Sequence, residues 1–336
     1  MSFDFTWLDG GRLIRFGEEA RGEAAGLLAN RGFEGYALLT TERGARQAPE
    51  LARGAAALLR VPSGSVPDAA AAIRGQVLRR PLVALGGGRV IDSAKAVAAT
   101  DGLPCAAIPT TLSGAEVTPF HRLPTGVRQV SGMARPGLVV GIPSLMASQP
   151  VPALAASAMN ALGHAVEALY VRYSNPVAEL AALRAATLLA EGLETEAPRK
   201  EALALGGLLA GWAVGVTGFA LHHVVCQTVV RMAGAPHAET NAVMLPHVVR
   251  FMQHRAPAAL GRLAVALGAT RERASQAADR VAALSARAGV RGLRELGVEE
   301  SLLGRIAAEA SGRPQIDLSP DPPGEEELLA LLRSAL

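Results

Sequence analysis

The run Leu82 to Leu85 is short, apolar and uncharged, and it passes directly into Gly86-Gly87-Gly88 and then into the helix-like stretch Ile91 to Ala99. A buried strand that turns on glycines into a helix is the unit from which α/β domains are wound, so this feature commits the first part of the chain to a parallel sheet with helices on both faces. Tyr36 to Thr40, Cys105 to Ile108 and Leu138 to Ile142 repeat the apolar strand pattern, with helical stretches between them. Ligands in such sheets sit beyond the carboxyl ends of the strands. The loops after Thr40, Leu85 and Ile108 are therefore expected to converge.

After Pro150 the strand signal disappears. Leu154 to Tyr173, Ala178 to Leu193, Ala202 to Val216, Phe219 to Met232, Leu245 to His254, Pro257 to Leu267, Glu272 to Ala288 and Glu300 to Ala310 all read as helices rich in Ala and Leu. Ser311 to Gly324, with its Pro, Asp and Ser, reads as a surface excursion before a short last helix. The expected class is α/β: a doubly wound parallel-sheet dinucleotide-binding domain over residues 1–150, then an all-helical domain over 151–336. A length of 336 residues, about twice that of a typical domain, agrees with two.

Composition narrows the partners. Half the residues are hydrophobic and 19% are charged, which gives ample apolar surface for packed cores. The net charge of +3 has no clustered basic stretch, so nucleic acid is not an expected partner. Two cysteines, Cys105 and Cys226, make neither a disulfide framework nor a cysteine zinc site, and Met1 to Gly10 carries acids where a leader would carry cations, so a reducing cytoplasm is the expectation. From Ala202 to Val230 no residue is charged, a length that could cross a bilayer. His222, His223 and Gln227 within it, and the lack of an aromatic belt, point instead to buried helices, and no membrane partner is expected.

The stretch GGGRVIDSAKAVAA, Gly86 to Ala99, reads as a pyrophosphate cradle: glycines let the backbone approach a ligand, and the free amides of the helix start attract phosphate oxygens. Of 33 basic residues only Lys95 and Lys200 are lysine, so Lys95 inside this motif suggests that a compact ammonium is wanted there. In PTTLSGAEVTPF, Thr110, Thr111, Ser113 and Thr118 offer hydroxyls beside a glycine, suited to a cofactor's pyrophosphate, ribose or carboxamide. An ordinary turn with capping hydroxyls has the same pattern.

In the helical part, MNALGHAVEALY places Asn160, His164 and Glu167 on one helix face. HHVVCQ adds His222, His223 and Gln227, and PHAETNAVMLPH adds His237, Asn241 and His247. Five of the seven histidines fall in these three segments, which favours a His-lined pocket over scattered core imidazoles. Taken singly, His222 and His247 read better as structural histidines.

These four motifs, GGGRVIDSAK, PTTLSGAEVTP, MNALGHAVEALY and GAPHAETNAVMLPHV, stand in the order found in the iron-containing alcohol dehydrogenase superfamily, with its dehydroquinate synthase-like fold, and the resemblance spans almost the whole chain. Within it, the pair His222-His223, the later PHAET and the Asn before LGHAVEALY look most like maleylacetate reductase. That family reduces a carbon-carbon double bond conjugated to a ketone, using NADH or NADPH, in aromatic compound catabolism. The resemblance implies a cleft between the two domains as the site, a small carboxylic acid as substrate and a homodimer. It places the cofactor over Gly87, Gly88, Arg89, Asp92, Lys95, Thr110, Thr111, Ser113 and Thr118. Thr41 ends the first strand beside Glu42, whose charge mildly disfavours the extra phosphate of NADPH.

Metal-dependent relatives hold iron or zinc through an Asp and three His, and the matching positions here are Asn160, His164, His223 and His237. Without the carboxylate the set is neutral, which weakens its hold on a dication, so no metal is expected. His164, His223 and His237 are then the expected catalytic groups, as donors to a developing enolate or, protonated, as cations holding substrate carboxylates. Asn160, Arg128 and Gln227 are expected to contact substrate, Arg128 as a carboxylate clamp. The motifs depart from the family at Gln227, where His is common and which cannot deliver a proton, at Arg89 where Ser or Thr is usual, and at Asp92, more typical of the alcohol dehydrogenases. Three alternatives stay open: a metal-dependent alcohol dehydrogenase, a biosynthetic reductase with a different carbonyl substrate, and a catalytically silent binding fold.

Overall fold

The computed structural model describes residues 3–130, 132–270 and 273–336. The chain divides into two compact units, Met1–Ser148 and Gln149–Leu336.

The first unit is built on a seven-stranded sheet: β1 (Phe5–Asp9), β2 (Arg12–Phe16), β3 (Ala37–Thr40), β4 (Ala57–Arg60), β5 (Leu82–Gly86), β6 (Cys105–Pro109) and β7 (Leu138–Gly141), in the order β1-β2-β7-β6-β5-β3-β4. Only β1 with β2 is antiparallel; the other five pairings are parallel. The flanking helices are α1 (Ala20–Asn30), α2 (Glu42–Gln47), α3 (Pro49–Gly54), α4 (Val66–Arg74), α5 (Gly88–Asp101) and α6 (Pro143–Met146). Every residue of β3, β5, β6 and β7 is buried, which is why those strands read as unbroken apolar runs. Alternate side chains feed two cores. Leu39, Leu82 and Ala84 pack with Ile73, Ile91 and Val97 on one face, while Leu38, Val83 and Leu85 pack with Leu28, Leu51 and Ile108 on the other.

Three strands went unforeseen. β1 and β2 form a hairpin whose register pairs Asp9 with Arg12 across Gly10-Gly11. A two-residue glycine turn between apolar runs is a hairpin signal, and it lay in the segment weighed only as a leader. β4 was hidden because its four residues alternate in exposure at the sheet edge.

The second unit is helical: α7 (Val151–Ala168), α8 (Pro176–Leu193), α9 (Lys200–Thr217), α10 (Leu221–Ala233), α11 (His237–Met252), α12 (Pro257–Ala266), α13 (Ala274–Ser285), α14 (Leu303–Ser311) and α15 (Glu325–Ser334). α11 starts eight residues before the expected Leu245 and runs through Pro246. Proline costs an interior helix one backbone bond, but burial of Val243, Met244, Leu245, Val248 and Val249 around it offsets that loss. The expected helix start at Glu272 lies outside the described residues. The uncharged run from Ala202 is two helices, α9 and α10, bent by 101°, and no single helix among the described residues is long and apolar enough to cross a membrane.

The excursion from Ser311 to Gly324 is pinned rather than loose. Its 3-10 turn Pro314–Leu318 buries Ile316, Leu318 O accepts from Arg172 N at 2.9 Å, and Ser319 Oγ accepts from Leu221 N at 3.3 Å. Polar composition alone does not distinguish a strap whose few apolar residues point inward.

Candidate active site

The loops after β3, β5 and β6 do converge, because those strands are parallel neighbours with adjacent carboxyl ends. Thr110 N donates to Gly86 O at 2.9 Å, joining the β6 loop to the glycine turn. A Cβ on Gly87 would lie 2.8 Å from Thr111 Cγ2, and one on Gly88 would lie 3.2 Å from Ser113 Cβ. At Gly87 a side chain would collide with Thr111, and at Gly88 one fits only if Ser113 gives by a few tenths of an ångström. Gly88 opens α5, and no acidic side chain occupies that helix's first turn. Thr111 Oγ1 is buried without a partner, while Thr110, Thr111 and Ser113 are half-buried and Arg89 is exposed. Free amides at a helix start, close glycines and an unpartnered hydroxyl fit the pyrophosphate of a dinucleotide. Gly88→Val is expected to weaken NADH or NADPH binding at least tenfold while the protein keeps one cooperative melt, since Ser113 lies on a loop that can yield. Quenching of intrinsic fluorescence by the cofactor measures this, and unchanged affinity would remove the cradle.

Four residues expected to contact the cofactor have partners within the protein: Lys95, Asp92, Thr118 and Thr41. Lys95 is fully buried, and its Nζ donates to Ala115 O at 2.8 Å and Thr118 O at 3.2 Å while pairing with Asp92 Oδ1 at 2.7 Å. The ammonium ties α5 to the β6 loop instead of meeting a phosphate, and Asp92 and Thr118 are its partners. Thr41 spends its hydroxyl on the N-cap of α2, accepting from Gly44 N at 3.1 Å. The neighbouring Glu116, which had drawn no attention, is fully buried with both carboxyl oxygens unpartnered, and burial pushes it up to about 7.

In the second unit α7 and α10 bring the histidines together. The rings of His164 and His223 stack 4.4 Å apart and 11° from parallel, and His222 meets His223 edge-on. α10 approaches this closely because position 163 is glycine: a Cβ there would lie 2.6 Å from the His222 ring. Glu167, one turn beyond Gly163 on α7 and fully buried, anchors the group. Its Oε1 accepts from His222 N at 2.7 Å at the start of α10, and its Oε2 lies 2.6 Å from His223 Nδ1. By accepting that N–H the side chain caps the helix start, and its other oxygen sets the ring. Burial pushes His164, His222 and His223 down and Glu167 up. Neutral rings explain the close parallel stack, which two imidazolium ions would not tolerate. Of the two expected roles, the same burial favours the hydrogen-bonding one over the cationic one at His164 and His223.

Asn160 Oδ1, His164 Nδ1 and His223 Nε2 are buried without partners. His237 opens α11 and is exposed, its ring Nε2 3.4 Å from Asn241 Nδ2. Gln227 Oε1 accepts from Arg313 Nη2 at 2.8 Å, and Arg128 is exposed in the β6–β7 segment of the first unit. Glu167, whose contact with His223 was not foreseen, had a signal, one face with Asn160 and His164; the contact of Arg313 with Gln227 had none, since only folding brings residue 313 to residue 227.

The motif order can now be set beside known proteins. A model of the Fe-containing alcohol dehydrogenase family, C-terminal part, matches residues 154–336, and one for iron-containing alcohol dehydrogenase matches residues 15–115. The chain belongs to the iron-containing alcohol dehydrogenase family. Membership places it among NAD(P)H-dependent oxidoreductases. It is 33% identical over 289 residues to a maleylacetate reductase of Sphingobium indicum, covering 83% of this chain and 80% of that protein. It is 37% identical over 222 residues to maleylacetate reductase 2 of Cupriavidus pinatubonensis, covering 63% of this chain and 62% of that protein. The solved maleylacetate reductase from Rhizobium sp. strain MTP-10005 superimposes with a TM-score of 0.81 at 29% identity, covering all of this chain and 99% of that one.

Iron in the family's name raises the question of a metal. Among the described residues no three His, Cys, Asp or Glu side chains are grouped to hold one. An amide and three imidazoles supply no anion to balance a dication, so this set holds a metal less well than one with a carboxylate in place of Asn160.

Proposed function

We propose that this family member is an NAD(P)H-dependent reductase of a small enone acid of the maleylacetate type, acting without a metal. The observation that carries the reading is Asn160 at the carboxylate position beside stacked, neutral His164 and His223, with one unpartnered atom on each. The relatives named maleylacetate reductase support the substrate class.

A nicotinamide held at the glycine turn would supply hydride to the alkene carbon β to the ketone. As that carbon–hydrogen bond forms, the π electrons move toward the ketone oxygen, which gains negative charge. His223 is assigned to that oxygen through Nε2. Glu167 decides whether Nε2 carries hydrogen: with burial favouring the protonated acid, Oε2–H donates to Nδ1 and leaves Nε2–H to donate outward. Delivery of that proton to the substrate's α carbon, as Glu167 Oε2–H passes its own proton to Nδ1, completes the reduction and leaves a neutral ring beside a carboxylate that takes its proton back from water. This supplies the acid that Gln227 cannot be. His164 and Asn160 serve as orienting hydrogen-bond groups, with His237 at the mouth of α11. Arg128 as a carboxylate clamp, a homodimer and the cytoplasm, suited to two buried free cysteines, belong to the same reading.

NADH oxidation driven by maleylacetate tests it, and the activity is expected to resist EDTA and dipicolinate. Inactivation by chelator with recovery on adding iron or zinc would replace this reading with that of a metal-dependent alcohol dehydrogenase. A chain that binds neither nicotinamide would be a silent binding fold.

A further inference from the structure

Two cations fasten one turn of the loop that follows β6. Gly114 O accepts from Val117 N and Thr118 N, both at 3.1 Å, while Lys95 Nζ donates to Ala115 O and Thr118 O and Arg12 Nη1 donates to Val117 O at 3.1 Å. Each cation has its own carboxylate, Lys95 in Asp92 and Arg12 in Asp9. Glu116 lies in the middle of this turn, 0% exposed, and neither of its carboxyl oxygens has a hydrogen-bond partner. Ionised, it adds a buried negative charge that neither pair matches. Lys95 and Asp92 act on it in opposite senses, and burial pushes it up to about 7 against the pull of its own N–H and of Lys95. The remaining neighbours of the pairs do not offset the charge. His121 Nε2 accepts from Ala134 N at 3.1 Å, and burial pushes that ring down; burial pushes the Cys105 thiol of β6 up to about 12; Arg135 answers to Arg12 and Asp9.

The same loop carries Thr110, Thr111 and Ser113 against the glycine cradle, and Ser113 Oγ accepts from Ala115 N at 3.4 Å at the edge of the turn. Asp92 and Lys95 stand one and two turns into α5, which Gly88 opens. We propose that Glu116 is a proton site coupled to the cofactor: as the anionic pyrophosphate of NADH settles on the glycine turn, a proton from water passes onto the buried Glu116 carboxylate. Both groups are negative and the packed loop between them screens little, so each disfavours the charge of the other. At low pH the carboxyl is neutral in the free and the bound protein alike, and affinity is level. Above its midpoint in the free protein, binding has to recover the proton, and affinity falls as pH rises until the bound protein ionises as well. The coupling rests on the reading of the glycine turn as the seat of the cofactor.

Titration calorimetry with NADH, which has no titrating group of its own between about pH 6.5 and 8.5, measures affinity and proton uptake together. Where the bound cofactor makes the carboxyl hold its proton about tenfold more tightly, affinity should fall about fivefold across that range, and runs in Hepes and in Tris should show uptake of about half a proton near pH 7.5. Glu116→Gln, neutral and of the same shape, should bind NADH at every pH about as tightly as the unaltered protein does at the acid end, and take up no proton. A purely structural Glu116 would instead change affinity alike at every pH. Unaltered protein with level affinity, or Glu116→Gln that keeps the fall and the uptake, overturns the proposal. If Glu116→Gln does not fold, Glu116→Asp decides: its shorter and intrinsically stronger acid should move the fall to lower pH, and a fall that stays in place overturns the proposal. NADH that does not bind at all would remove the seat of the cofactor and the coupling together, whereas binding that is level with pH removes the coupling alone.

Discussion

His223→Ala is expected to lower kcat about a hundredfold or more with cofactor affinity within a factor of three, whereas His222→Ala should keep its rate per folded molecule and lose stability instead. The scale is that of one preorganised donor to a developing oxyanion. The two neighbours differ because Glu167 treats them differently. From His222 it accepts only the backbone N–H, but it holds the ring of His223 at Nδ1, turning Nε2 away from the Glu167 carboxyl group. The His222 ring packs against Gly163 and Cys226 in the interior, 0% exposed. Removing it leaves a cavity, at a cost of about 2–4 kcal/mol. Steady-state rates and thermal melts of both variants make the comparison. An inactive His222→Ala beside an active His223→Ala would reverse the assignment of the oxyanion donor.

Lys95→Met is expected to destabilise the protein by about 3 kcal/mol, lowering the Tm by roughly 6–12 °C, because it strips two buried carbonyls of their donor and leaves Asp92 without a partner. Cofactor binding should weaken only in proportion to the disorder of the Thr110–Thr118 loop, so saturating cofactor should restore much of the rate. A melt at the parental temperature with cofactor affinity reduced a hundredfold would return Lys95 to the phosphate. Isosteric methionine keeps the stem's packing, so the comparison isolates the ammonium.

The parallel sheet, the glycine turn and the gathering of histidines were legible from residues alone because each is a local pattern with one physical solution. An all-apolar run such as Leu82–Gly86 is stable only with both faces covered, and a glycine turn from such a strand into a helix leaves amides open for an anion. The motif order likewise carried the family, since four segments in sequence need no geometry to be compared. What composition and spacing do not carry is the direction in which a polar side chain points. Lys95 looked like a phosphate ligand, yet its ammonium closes on Asp92, Ala115 and Thr118, because i, i+3 geometry and the return of the β6 loop put acceptors within its reach. The histidines looked able to carry charge, and burial, which exists only once α7 and α10 pack, pushes His164, His222 and His223 down. Residue 313 meets residue 227 through a strap whose anchors, Ile316 and Ser319, are two positions in a polar stretch. Local periodicity determined the elements; desolvation and long-range contacts, which exist only once the elements pack, decided what each charged or titratable group in them can do.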